Sequence, residues 1–188
     1  MALSFRPDLW PTAVTCADPL ALLAAQHDAL REVLDELPDA VYDDGSGDVA
    51  LAHVIRAVFG HHLAWHHGDE EVVLLPRLVG IGSGFDVLCA TCRDHHRSSE
   101  AAAWAVAELA APICSGDDTD PVEWREACGA LRRALEASMQ LEDDALWPAL
   151  RQMIERDDRE DIAAALRARA EGRPDLVELV TPIAAGNP

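Results

Sequence analysis

Apolar residues recur at steps of three and four along most of this chain, which is the spacing of one face of an α-helix. The first such stretch, residues 18–37, begins with the capping residue Asp18 and with Pro19 at the first helical position, and it stops at Pro38. Its apolar stripe consists of Leu20, Leu23, His27, Leu30, Leu34 and Leu37. The first predicted helix therefore carries a histidine within its apolar face.

The same spacing predicts three more long helices. Asp48 caps the second, which reaches residue 75; the third spans about 85–113, and the fourth runs from Pro121 to about 155. No stretch shows the strict alternation of apolar and polar residues that indicates a strand. We therefore predict an all-α fold, an up-down-up-down four-helix bundle with a short C-terminal helix near 158–170.

These elements divide the chain of 188 residues into three parts. Residues 1–17 form an irregular N-terminal segment, 18–155 form the bundle, and 156–188 form the short helix followed by a C-terminal tail. The length is that of one domain with a full hydrophobic core.

Two segments of the chain, residues 70–78 and 142–150, repeat each other. Both read Glu, an acid, two variable residues, Leu, then Leu or Trp, Pro, any residue and Leu. His66 precedes Glu70 by four residues, and Ser138 precedes Glu142 by the same interval. Because helical residues four apart share a face at a distance of about 6 Å, His66 and Glu70 can hold one metal ion together. The second copy keeps the carboxylate but lacks the imidazole.

All four predicted helices place a polar or ionisable group on the inner stripe, about midway along the bundle. A single histidine on an apolar stripe is commonly a core residue with a hydrogen-bond partner, so the metal interpretation depends on this concurrence. Burying Glu70 and Glu142 without partners would cost several kcal/mol, and a cation between the helices removes that cost. Mixed histidine and carboxylate ligands in a bundle suit iron or manganese better than zinc.

Composition narrows the possible partners and the location. The formal net charge of -19 predicts a surface that repels nucleic acid and anionic membranes, so we expect neither as a partner. The chain has no apolar run of signal-peptide or membrane-helix type. Its five cysteines lack the spacing of a disulfide scaffold, which indicates reduced thiols and a cytoplasmic protein.

Over residues 18–155 the chain resembles the hemerythrin-like (HHE cation-binding) domains. The resemblance rests on "QHDALREVLDEL", "HHGDEEVVLLPRL", "CRDHHRSSE" and "LEDDALWPAL". It implies a hemerythrin-like bundle with a non-haem di-iron site of histidines and bridging carboxylates. It also implies one or two iron ions per chain, ahead of manganese or zinc, and reactivity towards O2, peroxide or NO.

Carried over residue by residue, the resemblance implies the metal ligands His27, His66, Glu70, His95 and Glu142. For the third helix we prefer His95, because it lies on the more apolar stripe with Leu88, Cys92 and Ser99 and follows the acid Asp94. His96 is the alternative, because it pairs with Glu100 at the four-residue spacing.

Ser138 departs from the pattern, since the family has histidine there. The replacement leaves the second metal position open to a small molecule, or it marks a site that has decayed. His62 and His67 are candidates for a spare ligand or for a hydrogen-bond donor to a ligand. Cys89 and Cys92 form a C-x-x-C motif, which fits either two core residues or a thiol pair that supplies electrons to the site.

The function expected from these features is that of a hemerythrin-like iron protein that binds or reacts with O2, peroxide or NO. Turnover as a di-iron oxidoreductase is one form that this reactivity would take. One alternative is a metal-dependent sensor that binds the same molecules without turnover. The other is a helical interaction module whose metal site has decayed.

Overall fold

The protein is almost entirely helical in the computed structural model, which describes residues 10–12 and 18–184. Within these ranges, the single strand-like pairing is an isolated bridge between Val41 and Gly47. The helices are α1 (Pro19–Glu36), α2 (Val49–Ala57), α3 (Leu63–Asp69), α4 (Ser83–Cys114), α5 (Pro121–Leu141), α6 (Trp147–Met153), α7 (Arg156–Ala170) and α8 (Leu176–Ala184). The prediction of an all-α helical bundle is confirmed, whereas the up-down-up-down order and the division at residue 155 stay predictions.

Helix starts follow the capping residues read from the sequence. The side chains of Asp18, Asp48 and Asp120 accept hydrogen bonds from the first-turn amides of α1, α2 and α5. A proline occupies the first position of α1 and of α5, where no amide hydrogen is required. These local interactions explain why the predicted starts agree with the observed ones within about two residues.

Three π-helical turns interrupt the second and fourth predicted helices. They span Val58–His62, Glu70–Leu74 and Glu142–Leu146. In each, the amide that follows the turn donates to the carbonyl of the residue five positions earlier. Such turns are rare in α-helices and are frequent at functional sites. Two of the three begin at the first glutamate of the sequence repeat.

The apolar core consists of two clusters with a polar layer between them. One cluster contains Leu30, Leu34, Ile55, Val106, Trp124 and Leu131, and the other contains Leu23, Leu74, Leu75, Cys92, Trp147 and Leu150. α1 contributes to both clusters, and its buried His27 lies between Leu23 and Leu30. The buried polar side chains are thus held between two regions of close packing, which limits the access of water to them.

The C-terminal part of the chain packs onto the bundle. The prediction of a tail after the fifth helix is wrong for residues 176–184, which form α8 and pack against α2. Leu176 is buried and Leu179 and Val180 are partly buried in the first cluster, a stripe at helical spacing that the sequence interpretation overlooked. The predicted irregular segment 1–17 lies outside the described residues except for 10–12.

None of the helices among the described residues combines the length and apolarity that crossing a membrane requires.

Candidate metal centre

Four side chains from three different parts of the bundle converge on one point. They are His27 on α1, His66 on α3, and Glu70 and Glu142 at the start of two π-helical turns. One donor atom from each lies within 4.8 Å of all the others, and all four side chains are buried. The Nε2 atoms of His27 and His66 are 3.1 Å apart. His27 Nε2 is 2.9 Å from Glu142 Oε2, and His66 Nε2 is 3.2 Å from Glu70 Oε1. We call this group the first position.

The other oxygens of the same two glutamates face a second imidazole. His96 Nε2 on α4 is 3.1 Å from Glu70 Oε2 and 3.2 Å from Glu142 Oε1. Ser138, four residues before Glu142, donates a hydrogen bond of 2.8 Å to the same Oε1 atom. Each carboxylate therefore presents one oxygen to the first position and one to this second position.

An acceptor oxygen faces the outer nitrogen of each of these three imidazoles. Nδ1 of His27 is 3.3 Å from Asp143 Oδ1, and Nδ1 of His96 is 2.9 Å from Glu71 Oε1. Nδ1 of His66 is 2.9 Å from the oxygen of Gln26, whose amide nitrogen donates to a backbone carbonyl and so fixes the orientation of the amide. In the neutral rings the proton is thus on Nδ1, and each Nε2 directs a lone pair to the interior.

A cation suits this arrangement because the nitrogen and oxygen atoms that converge here do not satisfy one another's hydrogen-bonding capacity. Both oxygens of the fully buried Glu70 lack an aligned hydrogen-bond donor, although ring nitrogens lie 3.1–3.2 Å away. Lone pairs of nitrogen and oxygen that face each other in a dry interior repel unless a proton or a metal ion lies between them. The residues present therefore fit a metal centre.

Protons fill this role in the metal-free chain. Burial disfavours the charged form of His27 and of His96, but their carboxylate neighbours outweigh it and raise the pKa of His27 to about 9 and of His96 to about 10. Burial and the charge of Glu142 raise the pKa of Glu70. Burial also opposes the charge of Glu142, yet hydrogen bonds from the two imidazoles lower its pKa. Burial lowers the pKa of His66, so that ring stays neutral.

The structure brings His96, and not His95, to the carboxylates. Among the described residues, His95 is only half-buried and forms no hydrogen bond or ion pair with Glu70 or Glu142, whereas His96 is fully buried. The preference for His95 is corrected because adjacent helical residues differ by about 100° in direction. The observed buried stripe of α4 is Cys89, Cys92, His96, Ser99, Ala103, Val106, Ala110 and Ile113.

The sequence does contain a pattern that favours His96. Small residues, rather than the larger apolar ones, mark the buried face of this helix. Ala103 and Ala110 are fully buried in the first apolar cluster and Ser99 is fully buried as well, while the larger Leu88 and Leu109 are only partly buried. The expected pairing of His96 with Glu100 is not formed. Glu100 instead accepts from His67 Nδ1 at 2.9 Å.

The remaining candidate histidines lie outside the converging donor set. The ring of His67 stacks on that of His96 with centroids 4.1 Å apart and planes at 3°. The ring of His62 lies 4.9 Å from each of the Trp10 and Trp65 rings. Sequence reasoning missed the outer partners Gln26, Glu71 and Asp143. The acid after each glutamate in the repeat was the available signal for the last two.

The described cysteines are free thiols, and Cys16 lies outside the described residues. Cys89 and Cys92 are fully buried in the core, and burial raises the pKa of both thiols. Cys89 Sγ lies 3.7 Å from the carbonyl oxygen of Leu75. These observations fit packing in the core, and the electron-supply role of the C-x-x-C motif stays a prediction.

Comparisons of the chain with curated proteins and with solved structures found no match. The sequence model of the hemerythrin HHE cation-binding domain matches residues 18–150, a range that includes every donor of the two positions. Because this match covers most of the chain and the donors converge as a cation site requires, the protein belongs to the hemerythrin HHE cation-binding domain family.

Proposed function

We propose that this chain is a non-haem iron protein whose centre holds up to two ions and binds or reacts with O2, peroxide or NO. The observation that carries the proposal is the sharing of Glu70 and Glu142 between two positions, with His27 and His66 at one and His96 at the other. A carboxylate with one oxygen on each side is suited to bridge a pair of ions.

Iron is favoured by the chemistry of the donors. Calcium and magnesium prefer sites made of oxygen alone, and structural zinc prefers closed tetrahedral sites of cysteine and histidine. Here imidazole nitrogens are combined with carboxylate oxygens, a combination that suits iron and, after it, manganese.

Each residue has a defined role in this proposal. His27, His66 and His96 act as neutral imidazole ligands, held in orientation by the acceptors at their Nδ1 atoms. Glu70 and Glu142 would hold the ions and balance their charge. Bound iron would supply redox chemistry and a coordination position for a small molecule.

Ser138 makes the two positions unequal. The first position has two imidazoles and the second has one, because a buried serine occupies the place where a histidine would complete it. A serine hydroxyl is a poor ligand for iron, and here it donates to Glu142 Oε1. The second position is therefore the one that would keep a coordination position for a small molecule.

A sensor that binds the same molecules without turnover would use the same donors, and a decayed interaction module would bind no metal. We infer a cytoplasmic location from the reduced thiols. The acidic surface supports the expectation of neither nucleic acid nor membrane as a partner.

Metal analysis of protein from iron-replete cells tests the proposal, with His96→Ala and His95→Ala as a matched pair. We expect between one and two iron ions per chain in the wild type, loss of the second ion in His96→Ala, and unchanged content in His95→Ala. Absence of iron in the wild type, or equal content in both variants, would contradict the proposed centre. Adding peroxide to the loaded protein then separates catalytic consumption from stoichiometric binding.

A further inference from the structure

The imidazole of His67 lies flat against the imidazole of His96, the histidine of the second position. The two rings are parallel within 3°, and their centroids are 4.1 Å apart. His67 belongs to α3 and His96 belongs to α4, so the contact joins these two helices. His67 is only 2% exposed. A buried ring to which the metal centre gives no role thus packs against one of the proposed ligands.

A carboxylate from the opposite helical segment holds each ring of this stack. Nδ1 of His96 on α4 is 2.9 Å from Oε1 of Glu71, which follows α3. Nδ1 of His67 on α3 is 2.9 Å from Oε1 of Glu100 on α4. The side chains of Glu71 and Glu100 are 34% and 43% exposed, so each carboxylate has room to follow a ring that turns. The two acceptors therefore fix which edge of each ring faces outward, but they define the ring planes less closely.

The two positions of the metal centre differ in how their imidazoles are packed. At the first position the two ligand rings, His27 and His66, contact each other edge to face, with centroids 4.9 Å apart and planes at 73°. The second position has a single imidazole, because the buried Ser138 occupies the place where a histidine would complete it. Among the described residues, the ring of His67 is the one that contacts His96. His67 thus supplies the ring contact that a second ligand supplies at the first position.

We propose that His67 is a positioning residue of the second position, whose ring holds the plane of the His96 imidazole so that Nε2 stays directed at Glu70 and Glu142. Because a protein interior is close-packed, a parallel ring contact resists rotation of either ring about its Cβ–Cγ bond. Glu71 determines which nitrogen of His96 faces outward, and His67 determines the plane of the ring. The inference rests on the metal centre of the proposed function and adds to it a residue that does not bind the ion.

Titration of metal-free protein with cobalt(II), followed by visible absorption, tests the proposal at the metal. His67→Ala removes the ring, and His67→Phe keeps an aromatic face without a ring nitrogen. We expect the binding step that is lost in His96→Ala to weaken roughly two- to tenfold in His67→Ala, the range of one aromatic contact. His67→Phe should restore the wild-type affinity, and the other binding step should be unchanged in both variants. Glu100→Ala, which frees the His67 ring, should weaken the same step, whereas Glu108→Ala, an exposed acid on the same helix, should not.

A second measurement needs no metal and separates this proposal from that of the iron centre. In metal-free protein the ring N–H of His96 that faces Glu71 should give a protected ¹H–¹⁵N NMR signal, assigned by its loss in His96→Ala. The signal should persist in His67→Phe and should broaden or exchange away in His67→Ala. A protein that binds no second ion but shows this behaviour would contradict the two-ion centre and still support the positioning role of His67.

The proposal is overturned if His67→Ala keeps the wild-type affinity for the second ion or, where no second ion binds, the wild-type ring signal. Equal losses in His67→Phe and His67→Ala also overturn it, because the site would then require the ring nitrogen and not the ring face. Weakening of both binding steps together indicates a general disturbance of the fold and contradicts the proposal as well. Should a variant at residue 67 fail to fold, the comparison of Glu100→Ala with Glu108→Ala decides the matter, and equal affinities contradict the proposal.

Discussion

Glu71 Oε1 lies 2.9 Å from Nδ1 of His96, although the two residues belong to different helices. Asp143 stands in the same relation to His27, at 3.3 Å. In both copies of the repeat, the glutamate directs its carboxylate to the metal centre and the next acid orients a histidine on another helix. The acid pair in the sequence repeat thus has two separate tasks.

Replacing Glu71 by alanine should weaken metal binding mainly at the second position. The loss of an outer hydrogen-bond partner typically reduces affinity by about 10- to 100-fold, because the ring is no longer held in its binding tautomer and orientation. Anaerobic titration with ferrous iron measures the effect. Asp144→Ala serves as the control, since Asp144 is exposed and contacts only Gln140 among the described hydrogen bonds. Equal affinities in the two variants would count against the orienting role of Glu71.

Ser138→His should raise the iron content towards two ions per chain. The new imidazole would be placed four residues before Glu142, as His66 is placed before Glu70, and it would supply the missing ligand of the second position. If Ser138 is instead a small residue required for close packing, the larger ring would cost about 1–3 kcal/mol. Unchanged iron content together with a lower melting temperature would then refute the missing-ligand interpretation.

Removal of the metal should lower the melting temperature of the wild type, since an ion bound only to the folded state stabilises it by mass action. A site filled at about 100 times its dissociation constant contributes about 2.7 kcal/mol, or roughly 5–10 °C for a chain of this length. His66→Ala and Glu70→Ala should therefore destabilise the fold less with chelator than without it. Thermal melts with and without chelator measure the difference. Identical curves, from a protein shown to contain metal, would exclude a stabilising role.

Metal uptake should release protons, and its affinity should rise with pH. In the metal-free chain the pKa of His27 is raised to about 9 and that of His96 to about 10, so both rings carry a proton at pH 7 that the metal displaces. The stabilising effect of these raised pKa values is complete below about pH 6.5 and is lost as the pH rises through 9–10. Metal-free protein should thus lose stability above about pH 8, whereas loaded protein should not. Thermal melts across this range measure the stability, and proton release in weakly buffered solution reports the pH dependence of metal affinity. Metal uptake without proton release, or metal-free protein whose stability does not fall above about pH 8, would contradict the expectation.

The helices were predictable because their signals are local. Caps such as Asp18 and Asp48 and the apolar spacing act within a few residues, and the structure follows them. The choice between His95 and His96 was not predictable in this way, because it depends on a rotation of about 100° within one long helix. That rotation is set by packing against two other helices. A run of small residues has weak hydrophobic periodicity, so the sequence pattern alone does not determine which face of the helix is buried.

The outer partners were even less accessible to sequence reasoning. Gln26 contacts His66 across 40 positions of sequence, and Glu71 contacts His96 across 25. α8 was missed for a related reason, since its apolar stripe is short and is buried by packing against α2, which is distant in the sequence.

The π-helical turns at Glu70 and Glu142 have a consequence for recognising related chains. Each turn holds one more residue per hydrogen-bonded loop than an α-helix does, so five positions separate Glu70 from Leu75 and Glu142 from Trp147. The carboxylate faces the centre while the following apolar residue and proline turn to the core. A homologue that has lost one residue here would keep every recognisable letter of the motif and still rotate one group away from its place. The number of residues between this glutamate and the proline is therefore a better indicator of whether a related chain keeps the metal centre than the identity of the residues alone.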